Sequence, residues 1–523
     1  MILESLSKNP LYKAVIIFLW FVLIVGLPLT SFPIFSELTG AIVAPFSFIP
    51  LVLLLVLWMI PFIFCRGKFP SEVLPILYFA AFAVIISAGA FFLDGFYDRG
   101  RNFFDQSVRA FVTLGIGLSF YLVFTAYAQS KSAIRMILQF IYIGGALLIV
   151  WTGFEVVMLR IYTSAQALPE WFRAIRSALA VQSPSVNFIN RVTGFAYEPS
   201  WFVRQFNLIL FPIWLSAVYQ RKSIYEFRLW KIQLEDLLFL GGLIIFAFSS
   251  PRIGLLAFMA TLAYLAFLLM RGLHRKLTTW SLHRRKNPPR RMLLVKIGLA
   301  VLMVLVVLAA TAGALLGYIR FASRWDYRFE LLLKDYTLES LNIFPVTETN
   351  LIYAARSLAF FERMMFWFGG WNTFNDYPFG VGLGNAGFYF IDRVHGAAFE
   401  SIEMRNLIWR AGYLANTKNL WTRLLSETGF LGFAMFLTWL YLLWKSTTFI
   451  RKSQSDVLRI LGLAGQFFIL AYLVEGFSMD SFAMPYQWVM TGLISAGGLV
   501  VRRELGDRGK GKKKSEQLVE VQE

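Results

Sequence analysis

Long apolar runs dominate the pattern of hydrophobic and polar positions along this chain. About twelve of them are long enough to cross roughly 30 Å of hydrocarbon as a helix. The runs are 13–32, 43–65, 72–93, 107–128, 136–158, 200–219, 234–249, 252–271, 293–319, 420–445, 457–477 and 486–501. Their length and continuity favour helices that lipid solvates over strands or a soluble core. The sequence therefore predicts an all-α fold, a polytopic integral membrane bundle of about twelve transmembrane helices.

The composition agrees with lipid as the main solvent. Hydrophobic residues make up 58% of the 523 residues and charged residues only 15%, against about 25% in soluble domains. With a mean hydropathy of +0.61, these numbers exclude a soluble, a disordered and a fibrous chain. One Cys and three His are too few for a disulfide or a metal centre. We therefore expect no metal and no cofactor.

Basic residues set the expected orientation of the helices. The formal net charge is +19, and cytoplasmic loops of membrane proteins collect Lys and Arg, so the excess indicates topology rather than nucleic-acid binding. Segment 271–291 has eight basic residues and no acidic one, whereas 320–418 has ten of each. This distribution predicts that both termini and the loop 271–292 are cytoplasmic. It places the segments 159–199 and 320–418 outside the cytoplasm.

The chain accordingly divides into four parts. They are 1–319 with nine transmembrane helices, 320–418 as a large extracytoplasmic loop with helices of its own, 419–501 with three transmembrane helices, and 502–523 as a basic cytoplasmic tail. Within the outer segments, Pro169 followed by Glu170 is typical of a helix start. The aromatic residues of 356–371 suggest a second interfacial or buried helix. Both helices either pack over the bundle or cover a substrate.

Arginines near the outer ends of the predicted helices need an explanation, because a charge inside a span costs at least about 2.5 kcal/mol. Four helices directed to the cytoplasm carry one in or near their first turns: Arg109, Arg204, Arg252 and Arg423. Each alone could be an anchor whose side chain reaches the polar interface. Several at one depth, with the positive ends of helix dipoles, would form an anion site facing the outer leaflet.

Acidic residues occur at the same level. Glu198 opens the sixth run, and Glu427 follows Arg423 by one helical turn. Glu427 either pairs with Arg423 and neutralises it or is available for chemistry. Glu198 either caps its helix and pairs with Arg204, or acts as a base. The other acids at this level are Glu475 and Asp480.

A glycine-rich segment follows Pro378. It contains the spacing G-x-G-x-x-G at 382–387, but lacks the strand–turn–helix context of a dinucleotide site. What remains is a tight turn that exposes its backbone. Its N–H groups either bind a ligand, or its glycines let two helices approach closely.

Four segments form a pattern by their order and spacing. They are 191–200 (RVTGFAYEPS), Ser249 to Arg252, Arg363 with 376–385 (DYPFGVGLGN), and 419–432 with Asn419, Glu427 and Gly429. This pattern resembles the O-antigen ligase and Wzy-type polysaccharide polymerase superfamily across most of the chain. The ligase branch has a histidine before the asparagine where this chain has Lys418, and this difference favours a polymerase.

The resemblance implies a fold like that of the GT-C glycosyltransferases and a metal-independent enzyme on the outer face of the bacterial inner membrane. The enzyme would join undecaprenyl-diphosphate-linked oligosaccharides into O-antigen, capsule or exopolysaccharide, without nucleotide sugars. Membrane lipid, a chain-length regulator and a flippase are its candidate partners, and nucleic acid is not one. The alternatives are a ligase that transfers glycan to lipid A core or protein, and a transporter of the same sugars. A transporter should show two similar halves, which the sequence lacks.

The implied reaction gives roles to the charged residues. A diphosphate leaving group needs cations, and Arg suits bidentate phosphate contacts. The candidates are Arg191, Arg204, Arg252, Arg363, Lys418 and Arg423. A carboxylate takes the proton of the acceptor hydroxyl, with Glu198 as first candidate and Glu427 as second. Cations flanking Glu198 are expected to keep it ionised, and direct displacement would invert the anomeric carbon.

Overall fold

The described residues of the computed structural model are helical from one end of the chain to the other. These residues are 9–39, 42–65, 67–93, 97–98, 100–162, 167–183, 191–249, 252–282, 290–324, 329–330, 333, 345–357, 360–410 and 414–520. The helical fraction is 79%. Short strands form two hairpins, β1 Tyr97–Asp98 with β2 Arg101–Asn102 and β3 Arg228–Leu229 with β4 Ile232–Gln233. The predicted all-α fold is confirmed.

The helices follow one another with short connections. The first are α1 Pro10–Val25, α2 Pro33–Thr39, α3 Phe48–Leu54, α4 Ile60–Phe64, α5 Leu74–Leu93, α6 Phe103–Tyr127, α7 Lys131–Ile161, α8 Glu170–Leu179, α9 Pro199–Gln205 and α10 Phe211–Gln220. They continue with α11 Leu234–Ser249, α12 Arg252–Leu282, α13 Arg290–Ala322, α14 Glu348–Ser357, α15 Phe361–Asp376, α16 Ala386–Arg393, α17 Ile402–Trp409, α18 Leu420–Ile450, α19 Asp456–Glu475 and α20 Pro485–Glu520. π turns join α3 to α4 and α9 to α10.

Eight stretches of the described helices are long and apolar enough to cross a membrane. They are Ser71–Phe92, Phe103–Tyr127, Lys131–Ile161, Pro199–Gln220, Arg252–Arg275, Leu305–Ala322, Leu420–Ile450 and Asp456–Ser478. Shorter apolar helices cover Pro10–Val25 and Phe48–Phe64, where the first two runs were predicted. The remaining two predicted runs lie on α11 and on the first half of α20. The polytopic membrane character is confirmed.

The segment from α9 through α10 lies at the centre of the bundle, where nearly all of it is buried. Pro199 is the first residue of α9, a position where the missing N–H would have no partner in the helix anyway. Helix α19 packs against α10, α12 and α18, and α20 runs along α6. Fully buried Trp214, Trp439 and Trp488 fill the spaces between these helices. This central segment fixes the position of the residues that precede it, 191–198.

Both expected additional helices are present. Helix α8 begins after Pro169 and buries Phe172, while Trp171 is 51% exposed. In the segment 320–418, helices α14 to α17 enclose a small core of their own around Met365, Phe366 and Met404. Helix α15 attaches this core to α18. The predicted break at Ser250 and Pro251, residues 283–289 of the basic segment, and parts of 159–199 and 320–418 lie outside the described residues.

Candidate active site

One cavity of about 850 Å³ collects charged side chains from separate parts of the chain. Six of the candidate residues line it: Glu198, Arg252, Arg363, Lys418, Arg423 and Glu427. Arg109, near the start of α6, lines it as well. Arg109, Arg252 and Arg423, from three different helices, therefore face the same space, which we call the main cavity.

A branch of about 130 Å³ extends from the main cavity. It shares Glu198, Arg252 and Arg363 with the main cavity and adds Arg191 and Glu475. Three guanidinium groups and two carboxylates thus line a small space. Guanidinium groups are only weakly hydrated and match the geometry of phosphate oxygens, so this cationic branch suits an anionic ligand.

Glu198 is a half-buried carboxylate at the start of α9. Its backbone carbonyl accepts hydrogen bonds from the N–H groups of Trp201 and Phe202, at 3.1 and 3.2 Å. Its side chain makes no capping bond to the helix and accepts a hydrogen bond from the Ser200 hydroxyl. No described residue forms an ion pair with Glu198. The carboxylate therefore faces the cavity without an ion-pair partner among the residues that the structure describes.

Arg204 lies behind the cationic branch and lines neither cavity. It is 2% exposed, its Nη2 donates to the Ser478 carbonyl at 2.8 Å, and its Nε lies 3.6 Å from Glu475 Oε2. Asn207 donates to the other oxygen of Glu475 at 2.7 Å. The partner of Arg204 is thus Glu475 rather than Glu198, and Arg204 holds a wall of the branch instead of facing its interior.

Glu427 is paired, as one of the two sequence interpretations proposed. Arg423 Nε donates to Glu427 Oε2 at 2.9 Å, and Arg423 Nη1 donates to the Asp480 carbonyl. The guanidinium also lies over the ring of Phe482, 4.9 Å from its centre. The Gly384 N–H donates to the Glu427 carboxylate. Glu427 therefore lines the cavity with its negative charge already balanced by Arg423.

The glycine turn serves close packing. Gly380, Gly382 and Gly384 have φ of +93°, +88° and +86°, and Gly429 interrupts α18 with φ +66°. At this interruption the turn pairs with the helix backbone: Gly382 N–H donates to the Glu427 carbonyl at 2.9 Å. A Cβ on Gly429 would lie 2.5 Å from the Pro378 carbonyl oxygen. The glycines thus bring the turn against α18 and orient Glu427.

Lys418 occupies an unusual backbone conformation beside the main cavity. Its φ is +48°, a region that residues other than glycine seldom adopt. Its ammonium pairs with Glu403 and lies 4.1 Å from the centre of the Phe366 ring. Asn419, the next residue, caps α18 by accepting from the Trp421 N–H at 2.8 Å. The cap fixes where α18 begins and thereby fixes the position of Lys418, which directly precedes the cap.

Sequence comparison finds a family match for part of the chain. Residues 237–437, from α11 to the middle of α18, match the family model described as O-antigen ligase. This match supports assignment of the chain to the O-antigen ligase and Wzy-type superfamily. No curated protein matches the sequence. The matched residues include Arg252, Arg363, Lys418, Arg423 and Glu427, all of which line the main cavity.

The match to the O-antigen ligase family supports ligase- or polymerase-type transfer of lipid-linked glycans by a multi-pass membrane enzyme. Arg191, Glu198 and Arg204 precede the matched region, so the place of Arg191 and Glu198 at the cavities, and of Arg204 outside them, comes from the structure alone. Among the described residues, no group of three or more His, Cys, Asp or Glu side chains could hold a metal ion.

A buried ion pair beneath the segment 191–198 escaped the sequence analysis. Glu155, on α7, pairs with Arg176 of α8 at 2.8 Å, and both side chains are almost fully buried. The Glu155 carboxylate also accepts from the Gly194 N–H at 2.7 Å, and Arg176 donates to the Thr193 hydroxyl at 3.0 Å. A signal existed, because Glu155 is an acid inside the apolar run 136–158.

Glu362 and Glu403 are neighbouring carboxylates that also line the main cavity. Burial alone would raise the pKa of Glu403, but the charge and hydrogen bond of Lys418, with smaller effects of Glu362 and Arg363, lower it below its ordinary value. Burial and the neighbouring Glu403 charge raise the pKa of Glu362 against a hydrogen bond from Ser401. The pair is therefore asymmetric: Glu403 is the ionised member. Nothing in the spacing of the two residues in the sequence indicated this contact.

Proposed function

We propose that the chain is a polysaccharide polymerase that joins undecaprenyl-diphosphate-linked oligosaccharide repeat units on the outer face of the bacterial inner membrane. The observation that carries the proposal is the meeting of Glu198 with Arg191, Arg252 and Arg363 in the cationic branch. A glycosyl diphosphate has a reactive carbon next to a polyanion, and it needs this combination of one acceptor-activating carboxylate with several cations.

The arginines of the branch act on the donor. As the bond between the anomeric carbon and the diphosphate oxygen breaks, negative charge develops on the leaving group. Cations that are already in position stabilise that charge without reorganisation. Arg252 and Arg363 line both the branch and the main cavity, so we assign them the phosphate nearest the sugar. Arg191 lines the branch but not the main cavity, so we assign it the second phosphate.

Glu198 acts on the acceptor. The acceptor hydroxyl oxygen forms the new bond to the anomeric carbon while the diphosphate leaves from the opposite side, which inverts that carbon. The hydroxyl proton passes to Glu198 late in the displacement. Glu427 is the weaker candidate, because Arg423 and the Gly384 N–H already occupy its oxygens.

Lys418 favours a polymerase over a ligase. The ligase branch has a histidine at this position, and here the side chain is instead held by Glu403. A lysine engaged in this ion pair does not take the place of the histidine of the ligase branch. It contributes a positive charge to the main cavity, where the sugar chains would meet.

A chain-length regulator and a flippase would act beside this enzyme.

The test uses enzyme purified into lipid nanodiscs and supplied with lipid-linked repeat units. Glu198→Gln keeps size and hydrogen bonding but removes the base, so turnover should fall about 10²-fold or more. Glu427→Gln should lose less turnover than Glu198→Gln. Glu170→Gln, an exposed acid on α8, is the matched control and should keep wild-type turnover. Full turnover by Glu198→Gln together with loss in Glu427→Gln would exchange the two roles.

The product distinguishes polymerase from ligase. A polymerase converts repeat units alone into a ladder of longer chains that remain on the lipid diphosphate. A ligase produces no ladder and transfers one glycan when lipid A core or an acceptor protein is added. A transferred glycan without a ladder would therefore replace the proposal by the ligase alternative.

The proposed orientation has its own test. A single cysteine at position 395, in a Cys65→Ser background, should react with a membrane-impermeant maleimide on intact spheroplasts. A cysteine at position 222, between α10 and α11, should react only after lysis. The reverse pattern would place the site on the cytoplasmic face and contradict the use of an undecaprenyl-diphosphate donor from outside.

A further inference from the structure

A side chamber of about 310 Å³ opens from the main cavity. It shares Phe366, Glu403, Asn416 and Lys418 with the main cavity, and no lining residue with the cationic branch. Asn406 and Arg410 of the α17 region complete its polar wall. The main cavity therefore leads to two spaces with different chemistry.

The lining of the side chamber is rich in groups that bind hydroxyls. Two amides, one carboxylate and two cations offer hydrogen-bond donors and acceptors close together. Glu403, Asn406, Arg410 and Asn416 are exposed, so the chamber is open to solvent and a polar ligand can enter it. Phe366 and Leu407 add an apolar surface for the C–H face of a sugar ring. The volume is at the lower end of the roughly 300–1,000 Å³ of small-molecule sites, which suits one or two sugar residues.

The charge of the side chamber argues against a second diphosphate. Of its two cations, Lys418 is paired with Glu403, which leaves Arg410, and Glu362 stands beside Glu403 at the cavity wall. The cationic branch has three arginines against two carboxylates, and one of these carboxylates, Glu475, is already paired with Arg204. A polyanion is therefore drawn to the branch, and a polyol with few charges to the side chamber.

The strained residue between the two spaces supports a functional reason for this arrangement. Lys418 keeps a φ of +48°, a conformation that is unfavourable outside glycine and persists where the surroundings enforce it. In this position its ammonium reaches both Glu403 and the Phe366 ring, which belong to the wall shared by the main cavity and the side chamber.

We infer that the side chamber binds the terminal sugars of the acceptor glycan and so presents its hydroxyl to the donor in the cationic branch. The inference rests on the proposed glycan transfer and assigns separate binding spaces to the two substrates. Asn406 and Arg410 act by holding the acceptor and are specificity residues, since neither lines the cationic branch.

The experiment measures binding of two probes to the full chain in nanodiscs. One is the repeat-unit oligosaccharide freed of its lipid by mild acid, and the other is undecaprenyl diphosphate without sugar. The variants are Asn406→Ala with Arg410→Ala for the side chamber and Arg252→Ala for the branch. Arg405→Ala, an exposed arginine of α17 that lines no cavity described above, is the matched control.

Loss of both side-chamber groups should weaken binding of the free oligosaccharide about tenfold, the effect of one or two net hydrogen bonds, and leave undecaprenyl diphosphate binding unchanged. Arg252→Ala should weaken binding of undecaprenyl diphosphate and leave oligosaccharide binding unchanged. Arg405→Ala should change the binding of neither probe. In turnover, KM for the acceptor should rise at constant kcat.

Two results would overturn the inference and leave the proposed function intact. In the first, oligosaccharide binding survives in Asn406→Ala/Arg410→Ala while transfer activity remains normal. In the second, Arg252→Ala abolishes oligosaccharide binding and the side-chamber variant does not. If the wild-type chain binds neither probe and makes no polymer, the proposed function fails, and the inference fails with it.

Discussion

Removal of the Glu155 carboxylate tests whether the buried ion pair beneath the segment 191–198 holds Glu198, the proposed base, in place. Glu155→Leu leaves the Arg176 guanidinium buried without its counter-charge, and leaves the Gly194 N–H without the acceptor at 2.7 Å. Breaking a buried pair by removal of one partner costs about 3–5 kcal/mol. That is a large part of the usual stability of a folded protein.

The double variant Glu155→Leu/Arg176→Met separates stability from positioning. A buried ion pair replaced by apolar side chains of similar volume is often neutral or more stable, so the double variant should unfold near the wild-type temperature in detergent. Glu155→Leu alone should unfold well below it. Turnover should nevertheless stay low in the double variant, because the Gly194 N–H still lacks its acceptor and Glu198 follows on the same segment.

The control is Glu170→Leu, which removes an exposed acid from α8 and should change neither quantity. The reasoning is refuted if Glu155→Leu unfolds at the wild-type temperature, or if the double variant is less stable than either single variant. Full turnover by a stable double variant would show that the ion pair supports the fold and does not position Glu198.

Three further predictions follow from other contacts. Arg204→Ala should lower the abundance of the protein in the membrane, because it leaves Glu475 buried without its cation. Arg252→Ala should keep abundance and lose polymer formation. Abundance and polymer are both measured on immunoblots of one culture. Gly429→Ala should lower the thermal unfolding midpoint, since its Cβ would lie 2.5 Å from the Pro378 carbonyl oxygen at φ +66°. Glu362→Gln should raise the unfolding midpoint at pH 7, because ionisation of Glu362 beside Glu403 is unfavourable and the pKa of Glu362 is raised. Below about pH 4 the wild-type carboxyl is protonated in both the folded and the unfolded protein. The midpoints of the wild type and the variant should then coincide.

Each of these predictions has a result that contradicts it. Equal abundance of the two arginine variants would mean that the Arg204 pair is not structural. Gly153→Ala, at a helical glycine with open space around it, should leave the midpoint unchanged or raised, so an equal loss there would remove the steric argument. A Glu362→Gln midpoint that is unchanged at pH 7 would mean that Glu362 and Glu403 do not repel each other.

The helices could be predicted because a run of about twenty apolar residues has few other structures available in lipid. Their ends were harder to predict. The first predicted run, 13–32, includes a loop after α1, which ends at Val25 before Gly26; the loop is apolar because protein rather than lipid buries it. Helix α12 continues past its apolar run to Leu282, since basic residues leave the hydrocarbon without ending a helix.

The site residues could be found singly but not in their pairings. A charge inside an apolar run is visible in the sequence, and this signal identified Arg204, Glu427 and Arg252. Which partner each one meets depends on helices that are distant in the sequence, as for Arg204 and Glu475. The contact of Glu403 with Lys418 depends on how α17 folds over α18, and no periodicity in the sequence encodes that.

The pairing of the buried acids is the strongest argument for Glu198 as the base. Glu155 pairs with Arg176, Glu427 with Arg423, and Glu475 with Arg204. Each of these three carboxylates already has a cationic partner within the fold. Burial without such a partner would be costly, so these three acids are explained by the fold.

Glu198 differs from these three acids in both respects. It is half-buried at the edge of the cavity, and its oxygen accepts from the Ser200 hydroxyl rather than from a cation of the described residues. The fold therefore gives no structural reason for a charged side chain at this position, since a neutral residue could begin α9 equally well. Arg191, Arg252 and Arg363 share the cationic branch with Glu198. Under the proposed function, a diphosphate bound there would engage these cations, and the Glu198 carboxylate would remain available to accept the proton of the acceptor hydroxyl.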